Sequence, residues 1–295
     1  DTIYTFQKFG YSAYFIKQSS IGSPLWVKTF KGPNISGEGH DVALDRFGNV
    51  YFTGSFWDTA IFNQQDTLIA KSKSDIFLAK YDTSGAFKWA ISESGNNEDV
   101  GYSLSTYDSF VYLGGEKGSG GAFLAKYDSS GNLKWKNSGK SGEIKGISQD
   151  TSGNIYTTGS FRNKLKFGQD SVNSFGAQDI WNGKFNSNGK VQWLTHFGSN
   201  STDEGKALTV KENGNFFNTG YFSDNAVFGN DTFLVNTGFQ NAYIASFNEN
   251  GKLNWLNQFK GGSDGRALSI YKDRFIYATG RYASSDLIIG KDTLL

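Results

Sequence analysis

The chain contains no cysteine and no methionine among its 295 residues, and only two prolines and two histidines. Without cysteine there is no disulfide, no thiolate nucleophile and no zinc–thiolate site. The two histidines, His40 and His196, occupy unrelated positions and have no second ligand at metal spacing, so both read as ordinary loop or strand residues and no metal site is expected. Methionine is missing even at position 1, so Asp1 reads as a processing or expression boundary rather than the start of translation, with any signal peptide already removed. A cysteine-free chain also fits a bacterial exported protein. No apolar run approaches the roughly 18 residues of a membrane-spanning helix. Charge of one sign is missing too: 29 Lys and Arg balance 28 Asp and Glu, spread without runs. That removes the electrostatic footprint expected of a nucleic-acid or anionic-membrane partner.

Aromatic residues and glycine are plentiful, at 16% and 37 residues respectively. They recur in a pattern. Five segments align on a tryptophan: AYFIKQSSIGSPLW ending at Trp26, IFLAKYDTSGAFKW at Trp89, AFLAKYDSSGNLKW at Trp135, IWNGKFNSNGKVQW at Trp193 and AYIASFNENGKLNW at Trp255. Gly22, Gly85, Gly131, Gly189 and Gly251 stand four residues before each Trp, and Ser19, Asp82, Asp128, Asn186 and Asn248 stand seven before it. A short polar side chain that opens a turn, followed by a glycine in the left-handed region, joins two antiparallel strands in a tight hairpin.

A second motif falls between the tryptophans: NVYFTGSF from Asn49, FVYLGGEK from Phe110, NIYTTGSF from Asn154, NFFNTGYF from Asn215 and FIYATGRY from Phe275. Each reads as a strand, and each follows another short alternating stretch, such as HDVALD from His40. One repeat therefore holds four strands, and no window shows a helical apolar period. Four short antiparallel strands repeated at intervals of tens of residues are the pattern of propeller blades. The expected fold is all-β, a single five-bladed β-propeller domain over residues 1–295 with four-stranded antiparallel blades. The last blade takes its first two strands from about 264–283 and is closed by N-terminal strands at about 11–30. Each Trp is expected on an outer strand, wedged against the neighbouring blade.

The repeated Trp hairpin and YxTG strand resemble the SBBP-type β-propeller repeat family, widespread in exported bacterial proteins, and the likeness runs over essentially the whole chain. The A-x-x-D-x-x-G-x-x-x-W portion also resembles the tryptophan-docking repeat of quinoprotein propellers, but their cofactor-site pattern is not visible and no cofactor is expected.

Glu38, Asp99, Glu143, Glu204 and Asp264 recur just before each first strand. They line one mouth of a central channel and hold a cation or basic group, or each satisfies backbone N–H groups at the start of its strand. The hairpins such as Asp82–Gly85 lack the DxDxDG alternation of a calcium loop and read as turns. Four repeats carry an insertion between second and third strands, around Phe62–Leu68, Phe167–Val172, Phe228–Phe233 and Ile289–Leu294. The repeat ending at Trp135 has only GGEKGSGG there. Gly114, Gly115, Glu116, Lys117 and Gly121 thus form a candidate notch where a unique partner docks, unless the deletion is neutral.

Asp followed by Thr or Ser and an aliphatic residue recurs at Thr2, Thr59, Thr67, Ser171 and Thr293. These triplets look like the O-glycosylation sequon of Bacteroidota, whose exported proteins often contain such propellers; a Thr-capped turn explains them as well. The N-x-S/T triplets at Asn34, Asn200 and Asn230 carry little weight in a bacterium. The reading is a non-enzymatic binding or structural module of an exported, extracellular or cell-surface protein, making protein–protein contacts. The alternative is a lectin-like propeller that binds glycans. A five-bladed glycoside hydrolase ranks behind both, because a catalytic carboxylate pair should depart from the repeat whereas the carboxylates here follow it.

Overall fold

A computed structural model describes residues 13–30, 36–63, 66–118, 120–229, 232–234, 240–283, 287–289 and 292–294. These residues are all-β. Four complete antiparallel sheets succeed one another along the chain, each a meander in which spatial order follows chain order. The first comprises Ser36–Leu44, Val50–Trp57, Asp75–Tyr81 and Phe87–Glu93, and the second Val100–Tyr107, Phe110–Lys117, Gly121–Asp128 and Leu133–Ser138. The third comprises Gly146–Gln149, Ile155–Phe161, Asp179–Phe185 and Val191–Phe197, and the fourth Glu204–Val210, Phe216–Phe222, Asn241–Phe247 and Leu253–Lys260. A two-stranded N-terminal sheet (Tyr14–Gln18 with Pro24–Thr29) precedes them, and a two-stranded C-terminal one (Asp264–Tyr271 with Phe275–Arg281) follows. The chain divides into two compact units, Asp1–Lys136 and Asn137–Leu295.

The middle strands explain the composition. Every residue of Asp75–Tyr81, Ile155–Phe161 and Phe216–Phe222 is buried, so these strands are covered on both faces. In the first unit Phe15, Phe30, Phe52, Phe77 and Tyr81 form one aromatic cluster; in the second Tyr156, Phe216, Phe228, Tyr243 and Phe247 form another. Each such ring contributes up to about 2–3 kcal/mol by leaving water.

The hairpin chemistry is as expected. Asp82 Oδ1 accepts from the Ser84 and Ala86 N–H groups at 2.9 and 3.0 Å, and Gly85, at φ 82°, donates to the Asp82 carbonyl at 2.9 Å. The tryptophan of one repeat then packs on this hairpin in the next. A Cβ on Gly85 would lie 2.9 Å from Trp26 Cγ, and one on Gly251 would lie 3.1 Å from Trp193 Cζ3. Trp193 also donates its indole N–H to the Glu249 carbonyl at 3.1 Å. Within a sheet, the aromatic of the second strand meets the Trp of the fourth: Tyr51 with Trp89, Tyr112 with Trp135, Tyr156 with Trp193 and Phe217 with Trp255, all at 5.9–6.3 Å between ring centroids.

The TG glycine answers a second close approach. A Cβ on Gly54 would fall 1.8 Å from the Glu38 carbonyl oxygen, and one on Gly220 equally close to that of Glu204. Its threonine ties second to third strand: Thr53, Thr158 and Thr219 donate to the carbonyls of Phe77, Trp181 and Tyr243 at 2.8, 3.2 and 2.6 Å.

The expected last blade, with Trp26 and Tyr277 in one sheet, is not formed as a four-stranded sheet. Each terminal hairpin is instead ordered by the complete sheet it packs on. Phe15 and Phe30 lie on Phe52 and Phe77 of the first sheet. At the other terminus, a Cβ on Gly265 would lie 2.2 Å from Thr219 Oγ1 of the fourth. The insertions around Phe62–Leu68, Phe167–Val172 and Phe228–Phe233 are small β-hairpins, and the last, Leu287–Ile289 with Asp292–Leu294, extends the fourth sheet to six strands.

Candidate functional site

Counting from the close glycine contacts fixes which residues are equivalent. The carbonyls of Glu38, Val100, Glu143, Glu204 and Asp264 each stand where the Cβ of a second-strand glycine would fall. Val100, not Asp99, therefore holds the recurring position in the second sheet, and the expected acidic row is broken there. Asp99 sits one residue earlier, fully buried, and its carboxylate accepts the N–H groups of Gly95 and Gly118, the latter at 2.6 Å. Burial pushes its carboxyl above the ordinary range, and these two backbone bonds partly offset that. Asp203 has the same role, accepting from the Ser199 and Ser223 N–H groups at 2.5 and 2.9 Å. Both carboxylates are fully buried.

The remaining acids of the second unit are paired with bases two residues onward. In the second unit Lys145 Nζ lies 2.9 Å from Glu143 and 3.2 Å from Glu204. Lys206 in turn lies 3.8 Å from Glu204 and 2.9 Å from Asp264, which also meets Arg266 and Arg281 at 3.4 Å. Carboxylate and cation thus alternate across the first strands of the third sheet, the fourth sheet and the C-terminal hairpin. In the first unit Glu38 lies 3.8 Å from His40, whose ring meets Tyr102 edge-on at 5.5 Å, the residue two beyond Val100. Among the described residues no group of three His, Asp or Glu is placed to hold a metal ion. The bases were visible in the sequence as Glu143-x-Lys145, Glu204-x-Lys206 and Asp264-x-Arg266, the spacing that returns to the same face of a strand.

The candidate notch is plugged. Phe110–Lys117 pairs directly with Gly121–Asp128, and Gly114 and Gly115 are buried within that ladder. Where other repeats carry the extra hairpin, Glu93 accepts from Lys117 Nζ at 2.9 Å, from the Tyr127 hydroxyl at 2.8 Å and from Lys136 Nζ at 3.3 Å. Lys117 also lies over the Phe123 ring, and Gly121 is half-buried at the start of the third strand.

Of the candidate modification positions, Thr67 and Ser171 are exposed on the second strands of small hairpins, while Thr59 is half-buried and donates to Asp58 Oδ1 at 3.1 Å. Thr2 and the side chain of Thr293 lie outside the described residues, as do Asn34 and Asn230.

Two equivalent grooves open in the second unit, each between the fourth strand of one sheet and the hairpins of the next. One, about 310 Å³, lies beside Asn137, Phe167 and Gly189; the other, about 720 Å³, beside His196, Phe228 and Gly251.

No family model matches the sequence, and no curated protein matches it either. Among solved structures it is similar to one described as "Structure of Dos1 propeller", with a TM-score of 0.48 and 10% identity, over 95% of this chain and 71% of that one.

Proposed function

We propose that the chain is a five-bladed propeller of the SBBP-like kind and works as a non-enzymatic binding module of an exported bacterial surface protein, contacting protein partners through its faces. The observation that carries the non-enzymatic reading is the charge ladder. Every recurring carboxylate of the second unit is held by a lysine or arginine, and none stands out as an unpaired acid or base. The near-equal charge balance and absence of cysteine support export and polar contact. The glycan-binding alternative is favoured by the wider groove beside His196.

The five-blade reading is supported by contacts that the complete repeats make and the terminal hairpins leave open. Tyr277 is 62% exposed where Tyr51 and Tyr156 are buried, Trp255 is 41% exposed, and Gly22 has nothing within 4 Å of where its Cβ would lie. A cavity of about 350 Å³ beside Thr279 and Gly280 lies where other sheets hold the aromatic ring of a third strand. The repeat register sets Gly280 against Tyr14 and Ala278 against Ile16, with Tyr277 meeting Trp26 and Trp255 capping Gly22.

Because the chain has no cysteine, Ile16→Cys with Ala278→Cys is a clean probe. Mild oxidation is expected to give an intramolecular disulfide in the monomer; a free dithiol, or linkage only between molecules, refutes the closed ring. For the function, proximity labelling from the chain in its producing bacterium is expected to mark extracytoplasmic proteins, and a purely cytoplasmic set refutes it. A glycan array separates the lectin alternative.

A further inference from the structure

The wider groove of the second unit departs from the repeat at the positions that would serve a ligand. In the narrower groove Asn137 Nδ2 donates to the Gly189 carbonyl at 2.5 Å, which ties the fourth strand to the next hairpin. At the equivalent place in the wider groove stands Thr195, and no such bond forms. Thr195 Oγ1 and the adjoining His196 Nε2 are both buried without a hydrogen-bond partner. Buried polar atoms are ordinarily paired, so each orphan calls for a partner; the two leave opposite faces of the strand, Thr195 toward Gly251 and His196 toward Phe161 and Phe175. His196 itself replaces a serine, Ser138, of the preceding repeat.

The groove also has an aromatic face that the fold does not use. Phe175 takes the place held by Lys71 in the first sheet: each donates its backbone N–H to the aspartate four residues on, Phe175 to Asp179 at 2.8 Å and Lys71 to Asp75 at 3.0 Å. A phenyl ring at this position is 54% exposed, and it lies across the His196 imidazole with centroids 4.6 Å apart. Burial holds that imidazole below its ordinary range, so it is neutral at neutral pH and able to donate or accept. Among the described residues, Lys252 is the only charged residue of the lining and forms no ion pair, Asn250 stands two positions before it, and no carboxylate lines the groove.

We propose that this groove binds a saccharide, stacking one sugar face on Phe175 and engaging its hydroxyls with Thr195, His196, Asn250 and Lys252. The volume of about 720 Å³ accommodates a disaccharide. A flat apolar patch beside a few polar groups matches a sugar ring, which is apolar on its C–H face and polar at its rim. This inference rests on the chain being a binding module, and it takes the glycan-binding side of that reading.

The test titrates N,N′-diacetylchitobiose, laminaribiose and digalacturonate separately into the full chain, followed by ligand-observed NMR. At least one is expected to bind, weakened about tenfold or more by Phe175→Ala and by His196→Ala and left unchanged by Asn137→Ala in the narrower groove. Phe175 is exposed, so its variant should keep the parent melting temperature, which certifies the fold. Binding by none of the three, or binding indifferent to both groove variants, overturns the proposal. Protein labelling at the surface together with no sugar binding removes this inference alone; the reverse pair of results removes the protein-contact reading alone.

Discussion

The indole of Trp89 lies flat against Gly131 of the next hairpin: a Cβ there would fall 3.0 Å from Trp89 Cδ2, while the indole N–H donates to the Ser129 carbonyl at 3.1 Å. One side chain thereby joins two successive sheets by an apolar contact and a hydrogen bond. The glycine is required twice over, for φ 85° and for the space the indole takes.

Gly131→Ala is therefore expected to cost about 2–4 kcal/mol, from left-handed backbone strain and overlap with a ring that has little room to retreat. Gly168→Ala, at φ 59° with nothing within 4 Å, isolates the backbone part at about 1 kcal/mol. Gly22 has the same φ as Gly131, 85°, and open space around it. If Trp255 caps Gly22 in a closed ring, Gly22→Ala resembles Gly131→Ala; a loss no greater than that of Gly168→Ala argues against closure. Chemical denaturation of the three variants decides.

How far the sequence led can be seen in the same residues. Hairpin glycines, TG strands and the four-strand repeat were legible because backbone geometry demands particular residue types at fixed offsets. The acidic row was only half legible. Asp99 looked equivalent to Glu204 until the glycine contacts showed that Val100 holds that place, since a one-residue offset leaves local composition unchanged but reverses which face a side chain takes. The plug around Glu93 was hidden for another reason: Lys117, Tyr127 and Lys136 come from three different strands. Phe175 and His196 were visible as residues, but their meeting depends on a loop packing on a fourth strand.

Buried aspartates give the fold an unusual pH response. Burial pushes the Asp179 carboxyl up to about 6, with Asp203 nearby adding to the shift. Asp203, Asp99 and Asp41 are raised by burial as well. A folded-state value above the ordinary 3.8 means that the native state holds the proton more tightly. The stabilisation is complete below pH 3.8 and is lost as pH rises through about 6. The melting temperature is expected to fall over that interval, and Asp179→Asn should flatten the fall. A melting temperature that rises steadily across the interval contradicts the assignment.

The ladder predicts a coupling between Lys206 and Asp264. The Asp264 side chain is 2% exposed and Lys206 is its nearest cation, at 2.9 Å, so Lys206→Met should cost about 2 kcal/mol by leaving a buried carboxylate under-compensated. In an Asp264→Asn background the same substitution should cost much less, and a double-mutant cycle in urea measures the difference. Additive losses would mean that the two groups act independently. Calcium is expected to leave the parent's melting temperature unchanged, because each acid of the ladder already has its cation.

Glu93 is the acid-limb counterpart of Asp179. Burial opposes its ionisation, but the hydrogen bonds from Lys117 and Tyr127 and the charges of Lys117 and Lys136 outweigh it, so the carboxyl is held below its ordinary value of 4.5. A depressed folded-state value contributes stability that is present above pH 4.5 and lost as pH falls below it. Glu93→Gln removes that charge and sets an amide N–H₂ against cationic donors. It should cost about 2 kcal/mol at neutral pH, measured by urea unfolding, and less at pH 3, where the parent carboxylate is itself partly protonated. The substitution should also free Lys117 and loosen the hairpin after Phe110–Lys117, read as faster amide exchange at Gly118 and Gly121. Unchanged exchange with an unchanged melting temperature would show that the deletion in this repeat needs no plug and that Glu93 is incidental to it.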